Sequence, residues 1–264
     1  MTINKMELTP YEKVKIARSK QRPTIADYIE NLFEEFVELK GDRLSGEDSS
    51  ILGGIASFHG MPVTIIGHRK GKNTEENIAY RFGMGTPEGY RKALRLMRQA
   101  EKFKRPVITI IDTPGAYPGI EAENHGQSVA LAENLAAMSS LKTPIISIVT
   151  GEGNSGGALA LAVADQVFML ENAVYSILSP EGFASILWRD ARKAKQASEV
   201  MKLTAQDLLS FEIIDGIVDE DERLYESIDK LLCKQLKTLG KLDTKTLLQR
   251  RYDKFRRIGR VCNE

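Results

Sequence analysis

The stretch "TGEGNSGGALAL", residues 150–161, fits two unrelated motifs at once. Gly151, Gly153 and Gly156 have the spacing of a dinucleotide-binding turn, and Glu171 follows Gly151 at the distance of a ribose-binding acid. That fingerprint normally opens a domain at its first strand, whereas at least three strand-like runs precede Gly151. Gly153-Asn154-Ser155-Gly156-Gly157 has instead the spacing of a nucleophile elbow. An α/β-hydrolase needs its histidine after the serine, but His59, His68 and His125 all precede Ser155, which excludes that fold. A serine hydrolase using Ser155 in a subtilisin-like order (Asp112, His125, Ser155) stays open. So does a structural reading in which the glycines only permit a tight turn. The structural reading leaves Gly156-Gly157 unexplained, because two glycines in a first helical turn cost about 1 kcal/mol each relative to alanine. Bare backbone there presents unshielded N–H groups and the positive end of the helix dipole to an anion. Where the anion forms during a reaction, such a turn is an oxyanion hole.

An internal echo supports that use. "RPVITIIDTPG" ends at Gly115 and "TPIISIVTGEG" ends at Gly153; their prolines, Pro106 and Pro144, are 38 residues apart, as are the two glycines. Each copy is a proline, an unbroken β-branched run, a Gly-rich turn and a helix, expected over 124–141 and roughly 155–164. Strands without polar alternation are buried on both faces, the mark of a parallel sheet covered by helices. Asp112 to Gly119 is thus a second Gly-rich turn beside the first. Neither pairs an evident base with a nucleophile.

Outward from this centre, "GGIASFHGMPVTIIGHRKG" reads as two strands joined at His59-Gly60. Thr86-Pro87-Glu88 reads as a helix start with Thr86 as N-cap. "QVFML" and "AVYSIL" read as further strands, "SPEG" as the start of a helix through Trp188, and "IIDGIVDE" as a last short strand. Residues 10–40 carry Ile25, Ile29, Leu32, Phe33, Phe36 and Leu39 at helical spacing and read as helix ended by Gly41. The fold class expected is α/β: an N-terminal helical segment (1–44), a core of strand–turn–helix units (45–220) and charged C-terminal helices (221–264), in one structural domain.

A net charge of +1 predicts no general affinity for nucleic acid. The average hides nine acids against Arg223 alone from Asp207 to Asp229, then eleven Lys or Arg against three acids from Lys230 to Glu264. That basic run reads as a solvated helix face or as a docking surface for an acidic partner. Cys233 and Cys262 are too few for a disulfide framework or a four-cysteine zinc site. With no signal-like N-terminus and no apolar run of membrane-spanning length, the chain is expected to be cytoplasmic, with no membrane among its partners.

Five motifs in series, "IIGHRKG" (65–71), "FGMGTPEGYRKALRLM" (82–97), "IIDTPGAYPG" (110–119), "GEGNSGGALAL" (151–161) and "SPEGFASILW" (179–188), resemble the carboxyltransferase α subunit of bacterial acetyl-CoA carboxylase. The resemblance runs from about Pro23 to Asp219, although Asn154 stands where the family more often has glycine. It implies a crotonase-like fold of repeated ββα units. It implies an enzyme that, with a β subunit, moves a carboxyl group from carboxybiotin on a carrier protein to acetyl-CoA, forming malonyl-CoA for fatty acid synthesis. Loss of CO₂ leaves a biotin ureido oxyanion, and the biotin nitrogen can take the methyl proton, which removes the need for a protein base. On this reading the backbone N–H groups of Gly156 and Gly157 donate to the ureido oxygen, and Gly115 and Ala116 form the cleft wall and possible further donors. Gly83, Met84, Ser155, Ser179 and Gly182 are expected to line the substrate cleft. Ser155 is read as a helix N-cap rather than a nucleophile, Asp112 as a turn-stabilising acceptor, and His125 as a surface or packing residue. His68, Arg69, Lys70 and Lys72 form a basic loop that meets either solvent or an anion. The implied assembly is an α₂β₂ heterotetramer served by a biotin carboxyl carrier protein and a separate, ATP-using biotin carboxylase. Any metal is expected outside this chain, and a non-catalytic crotonase-like scaffold is the competing reading.

Overall fold

The structure, a computed structural model, describes residues 8–259. Its first two helices are α1 (Pro10–Ala17) and α2 (Ile25–Leu32), and the chain then becomes strand β1 (Glu34–Glu38). The single helix expected over 10–40 is therefore wrong. Phe33 and Phe36 mimic helical spacing because Glu35, at φ 52°, forms an irregularity in the β1–β2 register that spoils the period of two. Gly41, at φ 80°, turns the loop after this strand instead of ending a helix.

Strands β2 (Ile51–Phe58) and β3 (Met61–His68) form the expected hairpin, turning at His59 (φ 49°) and Gly60 (φ 76°). Two successive positive φ values match the right-handed twist of the flanking strands. Helix α3 (Thr74–Ala79) follows the hairpin. Helix α4 (Pro87–Lys102) starts where Thr86-Pro87 places it, but the Thr86 N–H donates to Asp48 (2.7 Å) and its side chain makes no cap.

Then come β4 (Val107–Thr113), α5 (Ile120–Asn124), α6 (Gln127–Ser140), β5 (Ile145–Asn154) and α7 (Ser155–Leu159). The helix expected over 124–141 is broken at Gly126, whose φ of 83° no right-handed helix can pass through. Helix α7 is shorter than expected. The rest is β6 (Gln166–Leu170), β7 (Val174–Ser176), α8 (Pro180–Trp188), α9 (Ala194–Met201), α10 (Ala205–Ser210), β8 (Gly216–Val218), α11 (Leu224–Leu239) and α12 (Thr244–Arg257).

The strands form one mixed sheet in the order β1-β2-β3-β4-β5-β6-β8, with β7 on the far end of β5. Pairing is antiparallel as far as β3 and parallel beyond it. The 38-residue echo is the register itself: Val107 pairs with Ile145, Ile108 with Ile146 and Ile111 with Val149. Thr109 Oγ1 bonds Ser147 Oγ (2.6 Å) at the same offset. Every residue of β4 and β5 is buried, as unbroken apolar runs require.

The main apolar cluster runs from Ile25 in α2 to Leu247 in α12. Arg251, 1% exposed, bonds Asp165 (2.7 Å) and the carbonyls of Met138, Leu141 and Thr143, so part of the basic C-terminal run is internal. Lys254 likewise pairs with Asp215, and burial lowers its pKa. Cys262 and the first seven residues lie outside the described residues.

Candidate active site

The two Gly-rich turns meet. A Cβ on Gly157 would collide with the Ala116 amide nitrogen, with the Gly115 carbonyl carbon at 2.6 Å and with the Tyr90 hydroxyl at 2.8 Å. Only glycine allows this approach. Gly115 itself sits at φ 142° and is held by Thr113, whose Oγ1 accepts its N–H (3.0 Å) and donates to its carbonyl (2.7 Å). The Tyr117 N–H and the Gln127 amide both donate to the Gly85 carbonyl (2.9 and 2.8 Å), locking the turn to the segment before α4. The Ala116 N–H donates to no acceptor among the described residues.

Across from it, Ser155 is the first residue of α7 and not its N-cap. Asn154 occupies the cap position, but its side-chain oxygen accepts from Ser176 Oγ (2.9 Å), so the first amides of α7 have no side-chain cap. Ser155 is exposed and held at φ 59°, the left-handed conformation that suits glycine. Its strand-to-helix position resembles a nucleophile elbow, yet no triad forms. His125 Nδ1 is 2.8 Å from the Glu88 carboxylate on the surface, and Asp112 pairs with Lys70 (2.7 Å) and accepts the Glu152 N–H (2.9 Å). Gly151 and Gly153 lie inside β5, where they make room for the Asp112 carboxylate and for Tyr175. They serve packing, as the structural reading holds.

Sequence reasoning missed the ion network beside these turns. Lys70 bridges Asp112 and Glu152 (3.1 Å); Arg18, just after α1, bridges Glu152 (2.8 Å) and Glu181 of α8 (2.8 Å). Burial opposes the charge on Glu152, but Lys70 and Arg18 outweigh it and hold the carboxyl below its ordinary range. The same balance raises Lys70, whose burial is overcome by Asp112 and Glu152. The basic loop thus splits: Lys70 is internal, Lys72 meets Asp27 at the surface (2.5 Å), and Arg69 stacks on Tyr80. His68 is 1% exposed with neither ring nitrogen hydrogen-bonded; burial, then Lys70, pushes it down to about 3, against a pull from the Gly157 backbone.

Two cavities flank the turns. One, about 560 Å³, is lined by Arg18, Lys70, Met84, Asp112, Glu152 and Ser179. The other, about 620 Å³, is an apolar groove whose walls include Ser155, Gly156, Tyr175, Phe183, Phe211 and Phe255. Met84 and Ser179 therefore share one cavity, and Ser155 and Gly156 the other. Gly83 (φ 78°) packs on the Asp112 carbonyl, and Gly182 donates to the Ser179 hydroxyl (3.1 Å) in a helix cap. Neither glycine lines either cavity.

The sequence profile of the acetyl co-enzyme A carboxylase carboxyltransferase-like family matches residues 3–259. The chain belongs to that family. It is 54% identical over 265 residues to the acetyl-coenzyme A carboxylase carboxyl transferase subunit alpha of Clostridium acetobutylicum, covering 97% of each chain. It is 58% identical to the subunits beta/alpha protein of Natranaerobius thermophilus, where it covers 98% of itself but 44% of that longer relative. Among solved structures, transcarboxylase 12S with methylmalonyl-coenzyme A bound superposes with a TM-score of 0.71 at 17% identity, over 88% of this chain and 45% of that one. A Pseudomonas malonate decarboxylase hetero-tetramer in complex with coenzyme A gives 0.65 at 17% identity, over 78% and 86%. The crotonase-like fold of the family is thus the fold of this chain. Family membership also sets aside the dinucleotide-binding, hydrolase and scaffold readings, and makes Gly115-Ala116 and Gly156-Gly157 the turns to weigh first.

Proposed function

We propose that this chain is the α half of a shared carboxyltransferase site and provides the backbone donors that face carboxybiotin, while a β subunit provides the acetyl-CoA side. The observation that carries this reading is the close approach of Gly157 to Gly115-Ala116, with the first amides of α7 lacking a side-chain cap and the Ala116 N–H without an acceptor among the described residues. A Cβ on Gly157 would strike the facing backbone, so glycine is what lets the two turns pack together, and Gly156, on the wall of the groove, offers the backbone open to a flat, polar group.

Carboxybiotin, borne on a separate carrier protein, supplies an activated carboxyl group and a ureido oxygen that gains negative charge as the carboxyl leaves. On this reading the N–H groups of Gly156 and Gly157 would donate to that oxygen, and loss of one such donor typically costs about 3 kcal/mol of transition-state stabilisation. Ala116 offers a third donor from the facing turn. Gly115, through its bonds to Thr113, holds that turn in place before reaction, so the donors cost little reorganisation. Met84 and Ser179 line the polar cavity and Ser155 the groove, as walls that position the reactants. Gly83 and Gly182 act through the backbone of the turns they shape.

The apolar groove opens on Gly156 and offers the face for the β subunit. The 44% coverage of the beta/alpha relative supports that pairing, since the rest of that protein leaves room for a second half. The assembly on this reading is a cytoplasmic α₂β₂ heterotetramer, visited by the biotin carrier that an ATP-using biotin carboxylase has charged. The test is the reverse reaction, malonyl-CoA decarboxylation coupled to biotin carboxylation, with the chain alone and with a cognate β subunit. Activity in the mixture alone is the expected result. Activity from the chain alone, or none from a complex shown to be folded, overturns the shared site.

A further inference from the structure

His59, Asp229 and Cys233 converge at a place remote in sequence from both turns. His59 sits at the tip of the β2–β3 hairpin, and its ring is braced edge-on by Phe58 with centroids 4.7 Å apart. Asp229 and Cys233 are four residues apart on α11 and so project from one face. His59 Nε2 lies 2.7 Å from Asp229 Oδ1, and Cys233 Sγ lies 4.0 Å from Asp229 Oδ2. One ligand atom from each residue falls within 4.8 Å of the others.

A tetrahedral zinc ion with ordinary bond lengths holds its ligand atoms roughly 3.4–3.6 Å apart. The spacings here bracket that range, so the three side chains need only readjust to place their ligand atoms on one ion. We propose that His59, Asp229 and Cys233 bind one zinc(II) ion that clips the hairpin tip to α11, leaving the fourth position to water. Thiolate and imidazole together select zinc over magnesium or calcium. On binding, the Cys233 thiol gives its proton to solvent, and the Sγ–zinc bond replaces the S–H bond with no change of oxidation state. The His59 side chain is 60% exposed, and open space surrounds Gly60, so an ion can enter without unfolding.

The clip joins points 170 residues apart. It needs neither β subunit nor substrate, so its failure would leave the carboxyltransferase reading untouched. The test is titration of the reduced, metal-stripped full chain with cobalt(II), a spectroscopic stand-in for zinc. The expected result is one equivalent bound with a thiolate-to-cobalt charge-transfer band and the ligand-field bands of a four-coordinate ion, all displaced by zinc. Cys233→Ser should abolish the charge-transfer band, Cys262→Ser should leave it intact, and His59→Ala should weaken binding by more than the roughly 10–100-fold that loss of an outer-shell partner causes. Absence of the band in the parent chain, its persistence in Cys233→Ser, or its loss in Cys262→Ser overturns the site.

Discussion

Strands β4 and β5 share a pattern and a register but leave the sheet differently. Their 38-residue offset holds to Ile111 and Val149, then slips, so that Thr113 faces Gly153. Strand β4 exits into an irregular turn pinned by Thr113 and Gln127; β5 runs on to Asn154 and enters α7 through a left-handed Ser155. The echo places two turns side by side, and the slip presses one against the other at Gly157.

The contact between the exits can be broken from below. Lys70 joins Asp112 at the end of β4 to Glu152 near the end of β5. Lys70→Met leaves Asp112 without its cation and Glu152 with Arg18 alone, and removal of one partner from a buried pair costs about 3–5 kcal/mol. Urea denaturation should show a loss of that size; a change under 1 kcal/mol would mean that the exits are held by other contacts. A direct attack compares neighbours. Gly157→Ala drives a methyl into the Gly115-Ala116 backbone, at about 1–3 kcal/mol of overpacking, and should lower carboxyltransferase kcat by about 100-fold. Gly156→Ala meets only Leu131 at 3.5 Å, an ordinary contact, and should stay within a few-fold of the parent. Equal losses in the two variants would refute the close approach as the cause.

His68 sharpens the comparison through pH. Its folded pKa of about 3 lies below the ordinary 6.5, so between those values the unfolded chain binds the extra proton. Its contribution is therefore intact above pH 6.5 and is lost as pH falls towards about 3. The parent should lose about 2 kcal/mol more than His68→Asn between pH 7 and pH 5, whatever the variant's starting stability. Parallel stability–pH curves would show that the ring titrates normally. The smallest effect is at Ser155. Ser155→Gly relieves the left-handed strain and should stabilise by at most about 1 kcal/mol with activity retained, because the proposal uses amides and not the hydroxyl. A hundred-fold drop in Ser155→Ala would restore a chemical role for that oxygen.

Much of this was legible in the chain because it depends on local pattern. Unbroken β-branched runs declared buried parallel strands, the proline and glycine spacing declared equivalent turns, and Ser179-Pro180 declared a helix start. These signals arise within a few residues. What was misread also has a local cause: the irregularity at Glu35 made a strand look helical, and Gly126 split a helix whose apolar pattern ran on. Asn154 holds the cap position expected of Ser155, and its side chain turns to Ser176, a partner on another strand.

The sequence by itself determined the α/β class, the hairpin, the paired turns and the family, since five motifs in series name it without coordinates. Only the tertiary structure decided that Lys70 is an internal cation, that Arg251 is buried, that His68 is held neutral and that His59 meets Asp229. Each joins residues far apart in the chain. Whether a charge is solvated or paired depends on what folding brings within a few ångströms, and a linear pattern carries no record of that distance.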